Sequence, residues 1–186
     1  MDINIYNLIL KLESVYIMNS IESIEKKDII ELLNKNWLTH DAMWLAFSFQ
    51  HAGIELTNKI NKTAAKEMAK IEAKRIIKLF DLKEINSFDS LKVFIEKCSE
   101  IVQANSLGFN YSFPKQNIML WEATSCFAHT GVKRIGFIDS YDCGVFARIE
   151  GWFEGLNISY DANPKFIGCL MHQKGTCSRT YEFKFD

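Results

Sequence analysis

Cys169, His172 and Cys177 stand in the stretch CLMHQKGTC near the end of the chain, with the spacing C-x2-H-x4-C. Thiolates and an imidazole are the donors that zinc prefers, and a tight hairpin around Lys174 and Gly175 would aim all three at one point. Three ligands do not close a structural site. The best fourth is Cys143, which opens a helix predicted over 142–156. There backbone N–H groups and the helix dipole lower a thiol pKa and favour the thiolate a metal needs. Cys143, Cys169, His172 and Cys177 together make a three-sulfur, one-nitrogen tetrahedral set suited to zinc. Iron–sulfur ligation fits less well, since histidine is uncommon in such clusters. The plainer alternative is three unrelated buried thiols and a surface histidine.

A second group lies in NWLTHDAMW, where His40 and Asp41 share a helix with Trp37, Trp44 and His51. A histidine beside a carboxylate can exchange protons or hold a polar ligand, although a hydrogen-bonded pair at the core edge is the commoner arrangement. Trp44 and Trp121 are the expected walls of an apolar pocket, with His40 and Asp41 as its polar contacts. Cys126 and His129 follow Trp121 and Glu122. A Cys126 nucleophile with His129 as base is conceivable, but no oxyanion-hole motif accompanies them, and a core thiol is the preferred reading. Asn58, Asn61 and the Glu72–Arg75 pair read as caps and surface ion pairs.

These residues need elements to place them. Ile29, Leu33, Trp37, His40, Trp44, Phe47 and His51 recur at helical spacing and predict a long, well-buried helix over about 24–51. Gly53 fits a stop. A second helix is expected over 57–80, with Ile60, Ala64, Met68, Ile71 and Phe80 inward, and a third over about 88–105 capped near Ser87. At Gly108 the apolar period changes from 3.6 to 2, which predicts a hairpin over 108–123 turning at Pro114–Asn117. A short helix ending near Gly136, the helix over 142–156 and two strands, 158–170 and 177–186, complete the order. The fold class is therefore α+β, a four-stranded antiparallel sheet covered by helices.

Composition bounds what such a fold can do. The 186 residues suffice for a single domain, a helical part over 1–105 and a sheet and metal-binding part over 106–186. With 22 Lys and Arg against 23 Asp and Glu, nothing pulls the chain as a whole toward nucleic acid or an anionic membrane, and neither is an expected partner. No stretch has the length of a membrane span, and MDINIYNLILKLES lacks the marks of an export signal, so the cytoplasm is the expected location. Five cysteines, an odd count, favour free thiols or metal ligation over a disulfide framework.

The hairpin ending in IMLWE, the helix opening at Cys143 and the strands clasped by Cys169, His172 and Cys177 resemble the vinyl-reductase small-molecule-binding domain. Through NWLTHDAMW, NKINK, GVKRIGFIDSYDCGVFARIE and CLMHQKGTC, nearly the whole chain is similar to uncharacterised stand-alone bacterial and archaeal proteins related to that domain. The resemblance implies a zinc ion beside an apolar pocket. Its ligand pattern of cysteine, acidic residue, cysteine, cysteine puts Cys169 where the acidic ligand would be and His172 where a cysteine would be. Trp121 falls at a place similar to a pocket tryptophan. The expected function is binding or sensing of a small hydrophobic or aromatic molecule. A metal- or cysteine-dependent hydrolase resembling the aminothiazoline-carboxylate hydrolases is the alternative, and a homodimeric scaffold packed through the first helix is a further one.

Overall fold

A computed structural model describes residues 20–102 and 107–185. The start of the chain read above for an export signal, and the last residues assigned to the third helix, lie outside the described residues. Contacts group the chain into two units, Met1–Thr39 and His40–Asp186.

Within the first unit a short 3-10 turn, Ile21–Ser23, precedes α1 (Lys26–Leu79). Leu32 and Leu33 are 59% and 62% exposed, so this stretch is not the well-buried helix its periodicity predicts. Gly53 divides α1 into two helical halves across a kink, as the expected stop requires. Its φ of 73° and ψ of 172° lie outside helical space, where glycine alone is comfortable, and Thr57 Oγ1 donates to the freed Gly53 carbonyl at 2.7 Å.

In the second unit α1 is followed by α2 (Phe88–Val102), β1 (Phe109–Lys115), β2 (Ile118–Ala123), α3 (Phe127–Ile135), α4 (Gly144–Gly155), β3 (Ser159–Asn163), α5 (Leu170–Lys174) and β4 (Cys177–Lys184). The strands form one antiparallel sheet in the order β1-β2-β4-β3, as the α+β expectation requires. The hairpin turns at Asn117, in the left-handed region with φ 61°. Ser87 caps α2: Ser90 N–H donates to Ser87 Oγ at 3.3 Å, and Ser87 N–H donates to Ser90 Oγ at 3.1 Å.

Two expectations need correcting. The strand read over 158–170 stops at Asn163, because Pro164 has no N–H to continue the ladder. The segment around His172 is a single helical turn, α5, ended by Gly175 at φ 71°, and not a hairpin.

Alternation sorts the sheet into two faces. Met119, Trp121 and Ala123 share one face with their cross-strand partners Tyr181, Arg179 and Cys177, while Glu122, Ser178 and Glu182 lie on the other. The first face is closed by α2 and α4, whose Leu91, Phe94, Ile95, Phe146, Ile149, Trp152 and Phe153 are buried in the same core.

The second half of α1 meets that core by its small residues. Ala69, Ala73 and Ile76 are buried, whereas Ile60 and Ile71 are 48% and 53% exposed, so the inward stripe differs from the one expected. The reason is on α4. A Cβ on Gly151 would stand 2.5 Å from the Lys66 carbonyl oxygen and 2.8 Å from Ala69 Cβ, and one on Gly155 2.8 Å from Lys70 Cα. Backbone packs against backbone here, which excludes larger residues from both helices.

Trp152 Nε1 donates to Glu72 at 2.7 Å, and Arg148 holds the same carboxylate through Nε at 3.1 Å and Nη2 at 2.6 Å. Glu72 is therefore part of a mostly buried bidentate pair with Arg148, not a surface partner of Arg75.

Candidate functional site: a thiol cluster and its neighbouring cleft

Four of the five cysteines open elements of the second unit. Cys126 is the N-cap of α3, Cys143 of α4 and Cys169 of α5, and Cys177 begins β4. Asn58 of α1 fixes the approach to Cys143: its Nδ2 donates to the Ser140 carbonyl at 2.7 Å, and its Oδ1 accepts from Asp142 N–H at 3.0 Å. Cys143 N–H donates to the Gly168 carbonyl at 3.2 Å, and Gly168 N–H donates to Asp142 Oδ1 at 3.0 Å, so the loops before α4 and α5 are clasped together. Asn58 and Asn61, read as caps, instead hold this junction. Asn61 is so close to α4 that a Cβ on Gly144 would lie 2.6 Å from its Nδ2.

The thiols sense one another. Burial pushes Cys143 up to about 12, with the N–H groups of Phe146 and Val145 pulling the other way and the thiols of Cys126 and Cys169 adding to the rise. Burial likewise raises Cys177 to about 12, and Cys126 and Cys169 again contribute. Cys126 is raised by burial and by Cys169, against the N–H groups of His129 and Ala128. A divalent cation reverses such a balance, because it takes up the charge that several neighbouring thiolates could not otherwise share. Among the described residues no group of three or more His, Cys, Asp or Glu is placed closely enough to grip a metal. The cluster is a donor set of suitable chemistry that would have to draw in.

Of the expected ligand set, Cys169 acts electrostatically on both Cys143 and Cys177, whereas His172 is engaged elsewhere. His172 Nε2 lies 2.8 Å from Asp139 Oδ1, and its ring is 6.2 Å from that of His129. Cys126 is buried in the main core, as read from sequence; what that reading missed is that its thiol adds to the rise of Cys143 and Cys177, a role whose signal was available, since Cys126, Cys143 and Cys169 each immediately precede a helical segment.

The expected pocket residues lie in different surroundings. Trp44 is 64% exposed and donates through Nε1 to His40 Nε2 at 3.0 Å. His40 and Asp41 are exposed. Trp121 is buried and packs on Phe109 and Tyr111, with ring centroids 5.8 and 6.3 Å away, while Glu122 on the opposite face is exposed. On this part of α1 the inward side chains are Leu45 and Phe49, which pack against Val132, Phe137 and Tyr141, and Phe49 stacks on Phe137 at 4.3 Å. Trp44 and Phe47 point out instead of in, because the apolar residues here are numerous enough to satisfy two stripes and packing selects the other one.

A cleft of about 350 Å³ opens beside Cys143. Lys62 and Lys66 of α1, Phe146 and Glu150 of α4, Phe166–Gly168 and Arg179 of β4 form its walls. Arg179 pairs through Nη1 with Glu150 Oε1, and the two side chains are only 12% and 16% exposed. Its guanidinium stands over the rings of Phe166, Phe146 and Tyr181, at 5.0, 5.3 and 5.6 Å from their centroids. Burial raises the Glu150 carboxyl above its ordinary value, against the pull of Arg179 and Lys66. Two polar atoms at this spot that are closed to solvent, Arg179 Nε and Tyr181 Oη, have no hydrogen-bond partner among the described residues.

No helix among the described residues is long and apolar enough to cross a membrane. No curated protein and no solved structure matches the chain. A family model does match, over residues 20–169, which include Cys126, Cys143, Cys169 and most of the cleft, and stop short of Cys177 and β4. The chain thus belongs to a family of unknown function (DUF6125).

Proposed function

We propose that the chain is a small-molecule-binding module of vinyl-reductase type, stapled by a structural zinc ion. The observation that carries the reading is that the thiols of Cys126 and Cys169 each add to the rise that burial gives both Cys143 and Cys177, beside a cleft that Cys143 lines. Zinc held there would tie α3, α4, α5 and β4 at one point and make the cleft's inner wall rigid, and a closed set of four sulfurs leaves no coordination position for catalysis. The favoured ligands are Cys126, Cys143, Cys169 and Cys177, with His172 outside the set. A ligand with an apolar or aromatic body suits the Phe146 and Phe166 walls. Native mass spectrometry of the protein as purified is the test. One zinc per chain, lost in Cys143→Ser, supports the reading, and metal-free protein of full thermal stability sinks it.

A second reading has its own observation. Met43, Trp44 and Phe47 are 49%, 64% and 56% exposed and occupy one side of α1 at i, i+1 and i+4. Large apolar side chains grouped in this way favour self-association through α1.

A further inference from the structure

We propose that the cleft beside Cys143 binds a small organic acid, with the carboxylate on Arg179 and the apolar body between Phe146 and Phe166. This rests on the ligand-binding reading above and narrows it to one ligand chemistry.

The volume, about 350 Å³, lies within the range of small-molecule sites. A guanidinium offers five donors in a rigid fork that matches a carboxylate, and Arg179 commits Nη1 to Glu150 while its Nε finds no acceptor. Leaving such a donor buried and unmet is costly, so an acceptor delivered to that edge is favoured. Tyr181 beneath it is fully buried, and its hydroxyl is likewise unpartnered.

The acids of the cleft are already engaged. Glu150 is taken by Arg179, Asp142 by Lys62 at 3.3 Å and by Gly168 N–H, and Glu67 by Lys70 at 2.7 Å. The unmet polar groups beside the cleft are the Arg179 Nε–H, a donor, and the Tyr181 hydroxyl, which can donate or accept, and the lysines add N–H groups around them: Lys62 and Lys66 each have three, of which the ion pairs with Asp142 and Glu154 use only part.

The aromatic rings hold the guanidinium plane in place, which lowers the ordering cost of meeting a planar carboxylate. Ile167, 82% exposed and part of the same wall, offers apolar surface at the mouth to the rest of the ligand. A cation would meet Lys62, Lys66 and Arg179 there, and a neutral acceptor would forgo the charge-assisted part of the bond to the guanidinium.

Isothermal titration calorimetry of the full chain, as purified, with matched pairs of probes tests the proposal: benzoate against benzamide, and hexanoate against hexan-1-ol. The acids should bind about tenfold or more tightly than their neutral partners, as a charge-assisted hydrogen bond implies, and more weakly at high salt. Lys62→Gln, on a half-exposed side chain, should weaken the acids about threefold to tenfold and leave the neutral probes unchanged. Arg179→Lys should abolish the acid preference, provided circular dichroism shows the variant folded; if it is not, Lys62→Gln alone decides. Equal binding of acid and neutral probes, or acid binding indifferent to Lys62→Gln, overturns the proposal while leaving a ligand-binding module in place. Neutral probes alone binding overturns it in the same way, and no probe binding at all overturns both this proposal and the ligand-binding reading.

Discussion

His172 shows how one hydrogen bond redirects a metal argument. Its spacing from Cys169 and Cys177 suits zinc, but α5 turns its ring toward Asp139. Cys126, by contrast, has a thiol that Cys169 influences and that in turn adds to the rise of Cys143 and Cys177. The two candidates separate cleanly in a variant series. Cys126→Ser should lose zinc and thermal stability as Cys177→Ser does, whereas His172→Ala should keep both, read by elemental analysis and a thermal melt. The control belongs at Cys98, which is fully buried in α2 and whose thiol, raised by that burial, is influenced by Glu72 and Arg148 and not by the other cysteines. There Cys98→Ala is the better choice, since a serine would bury a hydroxyl and cost stability for an unrelated reason. Retained zinc in Cys126→Ser, with loss in His172→Ala, would restore the ligand set read from sequence.

At the scale of elements, the hairpin, the cap of α2 and the start of α4 were legible because each depends on local chemistry: a change of apolar period, a serine, a glycine after a cysteine. The buried face of α1 was not. Its apolar residues are spread over more than one stripe, and what selects among them is the pair Gly151 and Gly155 on α4, about eighty residues away in the chain by subtraction. The site followed the same division. Cys143 could be read from its place at the start of a helix, and Cys169 and Cys177 from their spacing, whereas the cleft depends on Arg179, Lys62 and Phe166, whose association is purely tertiary. Gly151→Ala tests the close approach. The added methyl meets a carbonyl and Ala69 at under 3 Å, neither of which can swing aside, so overpacking should cost about 1–3 kcal/mol. For a chain of this size the melting temperature should fall by about 2–4 °C per kcal/mol. Gly131→Ala, on α3 with nothing within 4 Å of the added carbon, should be neutral or slightly stabilising in the same melt.

For the whole molecule, the exposed side of α1 raises the question of copy number. If Met43, Trp44 and Phe47 pack against a second chain, light scattering should give twice 21.5 kDa, and Trp44→Glu should return the mass to one chain by placing a charge in an apolar seam. On dilution the wild-type tryptophan emission should red-shift as Trp44 is uncovered, whereas the single-chain variant should show no change. A single-chain mass for the wild type at all concentrations leaves the stripe without a role in self-association.

Among the described residues the sheet order β1-β2-β4-β3 leaves β1 and β3 with an unpaired side each, a surface onto which strands of other molecules can be recruited. Both edges carry obstacles to templated polymerisation. β3 is five residues long, presents Asp161 in an ion pair with Lys184 at 2.7 Å, and is followed at once by Pro164. β1 contains Pro114 and Lys115, and its register with β2 shifts between Ser112 and Lys115. Charge, proline and irregular pairing are the means by which natural sheets resist fibril growth. Replacing Asp161 and Pro164 together by valine should therefore shorten the lag of thioflavin-positive aggregation under gentle heating, at a temperature where the parent chain stays clear.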